Sequence, residues 1–547
     1  MDFHQFSKTL TENQTRDDLY EHDGQRSKLL GIKSASSMPI NAALALLRQA
    51  HYLAGTAAQE SSVIDPACGS GSSLAAAAQI LIARGKARRW GAERIAQEIE
   101  KSIWGLDPDP IACHIAELRL RRTIAQLLPD LPAARRKTMQ FHIHQADSLA
   151  VMAGARFRIV LTNPPIKISK AVWDAETAPT KPARDIWLQY CEQAMELTAY
   201  GGYLAIALPE VFLLKSSAAA LRQTLRREWT VLAMTHTQGL FRSGASAILM
   251  TAQRSDPPAA HAISWERVEK IAALKSAESS ADTGSGAARY LRQEWKIKGS
   301  IEQDLLGEGS QQQWKYALGS EERLFIERFR SRGSASFALL ADIARGVEIP
   351  KETAVSETAY AGSIAVIRSG DIKPYQILPR QWISATDAAT LQPNMSVNAI
   401  YITRTGAVPA AAQSSGAMIA HNSLYVAIPK ADTTLPANCW PALPVLLNAK
   451  PVQLLFRLTA TVYQLSRPSI DAAMLAALPL PIEDTARLQT IAALTTELTQ
   501  VYQQNNSAIE ALQTIRARLD SETAALFAFT AAETALFERW RITSELF

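Results

Sequence analysis

Cysteine is scarce in this chain. The 547 residues hold four, Cys68, Cys113, Cys191 and Cys439, far apart and with no two at metal-ligand spacing. That argues against a disulfide-stapled scaffold and a cysteine-rich zinc site, and makes a reducing cytoplasm the expected compartment. Long apolar runs are also missing: no window reaches the roughly 18 consecutive apolar residues of a membrane span, and no signal peptide is apparent. The Gly-Lys-Ser/Thr loop of P-loop nucleotide hydrolases, the His-Glu-x-x-His pair of zinc hydrolases and a helicase motif set are all absent. No metal is expected. Charge of one sign is lacking too, since Lys and Arg number 57 against 52 Asp and Glu, for a net +5. Such a bias permits a nucleic-acid partner without demanding one.

What is present is globular. Apolar types make up 47% and charged types 20% of the sequence, and the length suggests two or three domains. Residues 1–38 read as a polar arm, and PINAALALLRQAHYLA (39–54) as a helix opened by Pro39. Short apolar strands then alternate with helical stretches: VID (63–65), IWGLD (103–107), FHIHQ (141–145), FRIVL (157–161), the middle of GGYLAIALPE (201–210), VLAMTH (231–236) and AILMTA (247–252). This alternation predicts an α/β fold with an open, mostly parallel sheet over 39–260. Residues 261–334 read as a connector, with the Ser/Ala/Gly-rich AESSADTGSGAA at 277–288. Short strand-like pieces between Gly, Pro and Ser predict an α+β module at 335–481. The tail, 482–547, carries a heptad seam: Ile491, Leu494, Leu498, Val501, Asn505, Ala508, Leu512, Ile515, Leu519 and Leu526. It predicts one long helix, which packs on its own module, self-associates or pairs with a partner as a coiled coil, or serves as a spacer.

Chemistry gathers at the ends of the predicted strands. DPACGSGSS (65–73) leaves a strand and opens a helix. Gly69 and Gly71 free the backbone to turn and to approach a ligand, and Asp65 can accept from an ammonium or order the loop. A plain tight turn is the competing reading. Asp107, at the end of the next strand, can accept both hydroxyls of a ribose, or simply cap the following helix. Asp147, after the third strand, can accept from an adenine amino group, or cap a turn. Three acids at successive strand ends fit a ligand cleft, because open sheets bind ligands there. After the fourth strand comes Asn163-Pro164-Pro165-Ile166. Two prolines stiffen the backbone, so the Asn163 side-chain oxygen and the Pro164 carbonyl can converge on one amino group. Two acceptors would hold both hydrogens and turn the nitrogen lone pair toward an incoming carbon.

Taken in order, DPACGSG (65–71), LDPDP (106–110), QADSL (145–149) and TNPPI (162–166) resemble the amino-methylating DNA methyltransferases that use S-adenosylmethionine. The adenine-N6 type with a recognition module after the catalytic domain is the best match, and the resemblance covers about 40–255. It implies that Asp65, Ala67, Gly69 and Gly71 line the methionine side of S-adenosylmethionine, that Asp107 holds its ribose, and that Asp147 holds its adenine. It implies that Asn163, Pro164, Pro165 and Ile166 hold the target amino group of a base flipped out of double-stranded DNA, with Phe212 or Phe241 packing that base. The family usually has an aromatic where Ile166 stands, a stacking face worth roughly 1–3 kcal/mol. Its usual Phe-Thr-Pro stretch is replaced by GIKSASSMP (31–39).

LLADIARGVEIP (339–350), VIRSGDI (366–372), YITRTGAV (401–408) and LAALPLP (475–481) resemble the target-recognition domains of restriction–modification specificity subunits. There Arg368, Lys373, Arg380 and Arg404 are candidates for phosphate or base-edge contacts, or are solvated surface charges. The basic clusters at 84–89, 119–122 and 135–137 fit solubility as well as DNA. The expected function is site-specific N6-adenine methylation in a restriction–modification or related system. The alternatives are N4-cytosine methylation, RNA or protein-glutamine methylation, and a catalytically weak DNA-binding modification subunit.

Overall fold

Strands of three to twelve residues set the architecture of the first half. In a computed structural model, the described residues are 38–51, 62–148, 154–165, 185–238, 246–271, 293–307, 312–391, 398–406, 409–414, 416–461, 469–503, 509–540 and 542. The chain divides into two units between Tyr316 and Ala317.

The first unit is a nine-stranded sheet. Its strands are β1 Val63–Asp65, β2 Ile103–Asp107, β3 His142–Gln145, β4 Phe157–Thr162, β5 Thr198–Pro209, β6 Thr230–Gln238, β7 Ser246–Gln253, β8 Ala262–Ile271 and β9 Gln293–Glu302. They lie in the order β3-β2-β1-β4-β5-β7-β6-β8-β9. The first five run parallel, and β7 is antiparallel to both neighbours. Strand order reverses between β1 and β4, the position where an open sheet leaves a crevice at its carboxyl edge. Every residue of β1 is buried, because the strand has a sheet neighbour on each side.

The helix Ser72–Ala87 packs on this sheet through small side chains. Ala75, Ala76, Ala77 and Ala78 are all fully buried. Alanine lets the helix Pro110–Leu127 approach closely: a Cβ on Gly71 would stand 2.6 Å from the Cβ of Ala116. Gly71 caps the first helix at φ +78°, a conformation that disfavours any side chain. Asp109 caps the second by accepting from the Ile111 N–H at 2.9 Å, with Pro110 at the first position. The predicted helix after Pro39 is present as Ile40–Gln49 and buries Ala42, Ala43, Leu46 and Leu47.

The expected connector at 261–334 is not one. Its first part adds β8 and β9 to the sheet, β8 parallel to β6 and β9 antiparallel to β8. Gly299 sits opposite Trp265, and a Cβ there would strike the indole ring. Residues 1–37 and the 277–288 stretch lie outside the described residues.

The second unit is α+β. A four-stranded antiparallel sheet has the order β11 Ala341–Arg345, β19 Leu424–Pro429, β16 Ile400–Thr403, β17 Ala411–Gln413. A three-stranded sheet joins β15 Gln381–Ser384, β12 Ser363–Ile367 and β18 Met418–Ala420. Two short pairs complete it: β10 Ala335–Ser336 with β20 Pro479–Leu480, and β13 Ile372–Lys373 with β14 Gln376–Ile377. Besides a short helix at Ala531–Arg539, the described residues of the tail form two helices, Thr485–Gln503 and Ile509–Phe527, in place of one long helix. They fold back on each other, tied by Arg487 to Glu522 at 2.6 Å. Seam residues Ile491, Leu494, Leu498, Ile515 and Leu519 are buried within the unit, so the heptad period marks an intrachain hairpin. Asn505 lies outside the described residues. No helix among the described residues is long and apolar enough to cross a membrane.

Candidate active site

Asp65 ends β1 with its side chain buried beneath the glycine loop. Its Oδ1 accepts from the Ala67 N–H at 3.0 Å and its Oδ2 from the Ser73 hydroxyl. The carboxyl therefore closes the loop onto the helix that follows. Burial raises its pKa to about 6, against the hydrogen bonds from Ser73 and Ala67 that favour the carboxylate. A carboxylate poised there is stabilised by an arriving cation.

Asp107 ends β2 beside it. One oxygen accepts from the Gly69 N–H at 3.0 Å and the other from the Asp109 N–H at 2.9 Å. A carboxylate only accepts, in about four directions, which is the chemistry a pair of ribose hydroxyls asks for. Gly69 sits at φ +53°, and a Cβ placed on it meets none of the described residues within 4 Å. Among the described residues the loop thus opens on free space beside Asp107. That space and the carboxylates at its rim fit a cationic amino-acid head and a ribose.

The thiol of Cys68 points into the protein. Burial, then the Asp107 and Asp65 carboxylates, push its pKa well up, so it is a neutral packing group. Cys113 donates from its thiol to the Asp107 carbonyl at 3.4 Å.

Two features of this edge escape sequence reasoning. Arg119, from a cluster read as surface charge or DNA contact, is 5% exposed and donates to the hydroxyls of Ser70 and Ser72. It braces the glycine loop from beneath. Its neighbours are also engaged: Arg121 pairs with Glu117, and Arg135 with Glu93 and Glu100. The second feature is the helix Ile186–Leu197, which grips the segment carrying Asp147. Ser148 is fully buried and donates to Gln193 Oε1 at 2.9 Å, while the Gln193 amide donates back to the Ser148 carbonyl. The Tyr190 phenol is held protonated by burial, then by the nearby Asp147 and Asp107 carboxylates, with Ser148 as hydrogen-bond partner. Spacing of polar residues on an otherwise buried helix was the available signal, and it is weak.

Asn163, Pro164 and Pro165 follow the last residue of β4. Register places Ile64 of β1 beside Val160 of β4, so Asp65 and the Asn163 segment leave adjacent strands on the same edge. Ile166 and Phe241 lie outside the described residues. Phe212 is described and does not face an open cleft: it is fully buried, edge-on to Trp314 at 5.2 Å. Its apolar bulk went into the core.

In the second unit, Arg368 donates from Nε to Gln381 Oε1 at 3.0 Å. Lys373 is exposed on β13. Arg380 is largely exposed and pairs with Asp371 at 3.5 Å. Arg404, just after β16, has its N–H bonded to the Ser423 carbonyl at 3.0 Å.

Comparison with known proteins agrees with the first unit's geometry. Residues 46–250 match the N-6 DNA Methylase family. That stretch is an N6-adenine DNA methyltransferase domain dependent on S-adenosylmethionine. No curated protein matches the sequence. Among solved structures, the chain is similar to the type IIL restriction-modification enzyme MmeI in complex with DNA. That match has 11% identity and a TM-score of 0.51, covering 96% of this chain and 76% of that one. It is also similar to the type IIG restriction endonuclease BpuSI, with 13% identity and a TM-score of 0.41, covering 94% of this chain and 67% of that one. At these identities the likeness to MmeI speaks for shared fold alone.

Proposed function

We propose that this chain transfers a methyl group from S-adenosylmethionine to N6 of adenine in a specific duplex DNA sequence, in the cytoplasm, as part of a restriction–modification or related system. The observation that carries the proposal is the convergence, on one edge of the sheet, of the closed Asp65 loop, the Asp107 carboxylate and the Asn163-Pro164-Pro165 segment.

When bound, S-adenosylmethionine supplies an electrophilic methyl on a sulfonium sulfur. The residues of the chain do the rest. Asp65 and the loop through Ala67, Gly69 and Gly71 hold the amino-acid end, Asp107 accepts from the ribose hydroxyls, and Asp147, next to the Ser148 that Gln193 grips, accepts from the adenine amino group. Asn163 and Pro164 accept the two hydrogens of the target amino group and aim its lone pair, with Pro165 and Ile166 shaping the wall. Alignment and preset acceptors supply the rate. The second unit, 335–481 above all, supplies sequence recognition, with Arg368, Lys373, Arg380 and Arg404 as its phosphate or base-edge contacts. Self-association through the C-terminal helices has less support, because their apolar seam is used within the unit.

Incubation with methyl-labelled S-adenosylmethionine and mixed-sequence duplex DNA tests this. Digestion to nucleosides should place the label in N6-methyladenine. Label confined to cytosine, RNA or protein would overturn the reading.

A further inference from the structure

Three arginines of the second unit are tied to one turn, residues 421–423, between β18 and β19. Arg345 ends β11 and donates from Nε to the Asn422 carbonyl at 3.1 Å. Arg404 bonds the Ser423 carbonyl through its own backbone N–H. Arg368 follows β12, whose last residue, Ile367, accepts from the His421 N–H at 2.9 Å, and Ser369 N–H reaches Ser423 Oγ at 3.2 Å. His421 sits among them. Burial, then Arg368, holds its pKa below the usual imidazole value, with Arg345 acting the same way and Glu348 opposing. The imidazole therefore adds no charge at neutral pH.

The three guanidiniums are not equivalent. Arg368 is fixed at both ends. Its backbone is locked by a reciprocal pair, its N–H to Asp371 Oδ2 at 2.8 Å and the Asp371 N–H to its carbonyl at 2.9 Å. Its side chain is locked through Nε by Gln381 on β15, the strand paired to β12. Among the described residues its two terminal amino groups have no hydrogen-bond partner. The guanidinium plane is thus set while the parallel donor pair points free. A neutral amide acceptor leaves its full charge intact. Arg345 is held only through Nε to a backbone carbonyl, and the Arg404 guanidinium has no partner among the described residues.

We infer that Arg368 reads a guanine in the target sequence through O6 and N7, with Gln381 as the residue that positions it, and that Arg345 and Arg404 hold flanking phosphates. A preset plane with two parallel donors matches the guanine edge in the major groove, the pattern that separates G from the other three bases. Phosphate asks for charge and tolerates a mobile side chain. The inference rests on the proposal that this unit contacts DNA, and it names what the unit recognises there.

The test is to methylate a duplex library of randomised sequence with the full chain and map N6-methyladenine by sequencing. Wild-type protein should give a motif containing at least one invariant guanine. Arg368→Ala and Arg368→Lys should make that position degenerate, with transfer to the original site falling at least about tenfold. Gln381→Ala should relax the same position less, and Gln381→Glu, which still accepts from Nε, should keep the motif. Arg345→Ala and Arg404→Ala should weaken binding to all duplexes alike without altering the motif. A uniform loss with an unchanged motif in both Arg368 variants would make Arg368 a phosphate contact and overturn the inference, as would a wild-type motif lacking guanine. Absence of any DNA methylation by wild-type protein would instead overturn the function on which it rests.

Discussion

The carboxyl edge of the first sheet and the arginine-bearing turn of the second unit, the two places proposed to hold a ligand, are built differently. At the edge, each polar group is tied to another: Asp65 to Ser73, Asp107 to Gly69, Arg119 to Ser70, Ser148 to Gln193. The site is one mesh of side chain and backbone, and its parts are fixed before any ligand arrives. At the turn, the guanidiniums keep unused donors and hang on separate strands. A mesh suits a ligand that never changes. Independent side chains suit a ligand whose sequence differs from one system to the next, since each can be exchanged without unravelling the others.

That contrast fixes what single substitutions should do. Changes at the edge should decide whether the protein works, and changes at the turn should decide on what. The largest effect is expected from Gly71→Ala. Its Cβ would stand 2.7 Å from the Cα of Ala116 at a φ that disfavours side chains, and overpacking plus strain should cost about 3 kcal/mol. A thermal melt should show it, together with loss of S-adenosylmethionine binding. A variant of wild-type stability would break the mesh description.

Asp65 comes next, through pH. Its carboxyl sits at about 6, raised above the ordinary 3.8 by burial. The ligand-free protein therefore bears a cost for ionising it, about 3 kcal/mol above pH 7, which is relieved as pH falls through 6 toward 4. Cofactor binding needs the carboxylate and should move the other way, weakening as pH drops below about 6. Titration calorimetry across pH 5 to 8 checks both trends, and Asp65→Asn should flatten them while lowering affinity at least about tenfold. An affinity that ignores pH in wild-type protein would remove Asp65 from the site.

Gly69→Ala should cost less, about 1 kcal/mol from φ alone, because its Cβ meets no atom of the described residues. It should harm cofactor affinity more than melting temperature, as expected if the open space is the ligand's. The smallest effect belongs to Arg380→Ala. This side chain is 70% exposed and paired at 3.5 Å, so folding stability should change by less than about 0.5 kcal/mol. Its contribution to DNA binding should be independent of sequence and should lower the salt slope by about one.

The same contrast explains what the sequence reveals. DPACGSG and NPP are legible because the chemistry needs those types at adjacent positions, so the site is written locally. Strand ends at Asp65 and Asp107 follow from that, and so does the parallel half of the sheet. β8 and β9 escape notice because they are charged strands near the sheet's edge. Trp295, Ile297 and Ile301 alternate with Lys296, Lys298 and Ser300, and a wholly buried Arg267 interrupts the inward face of β8. Arg119 is misread for a related reason: composition treats arginine as surface, while here two serine hydroxyls receive it inside. The heptad seam has the right period and buries Ile491, Leu494, Leu498, Ile515 and Leu519 of the predicted residues, but a period does not say whether the partner helix belongs to another chain or comes a few residues later. Gln381, which fixes Arg368, is 13 residues away and meets it only through the pairing of β12 with β15.

One pair of measurements on the same preparations tests the central claim most directly: equilibrium binding of S-adenosylmethionine and single-turnover methyl transfer to duplex DNA, in wild-type protein and in Asn163→Ala. The account predicts that binding stays within about threefold while transfer falls at least about a hundredfold, because the proposed role of Asn163 is to hold the target amino group and not the cofactor. Transfer that survives the substitution, or binding that is lost along with it, would contradict the account.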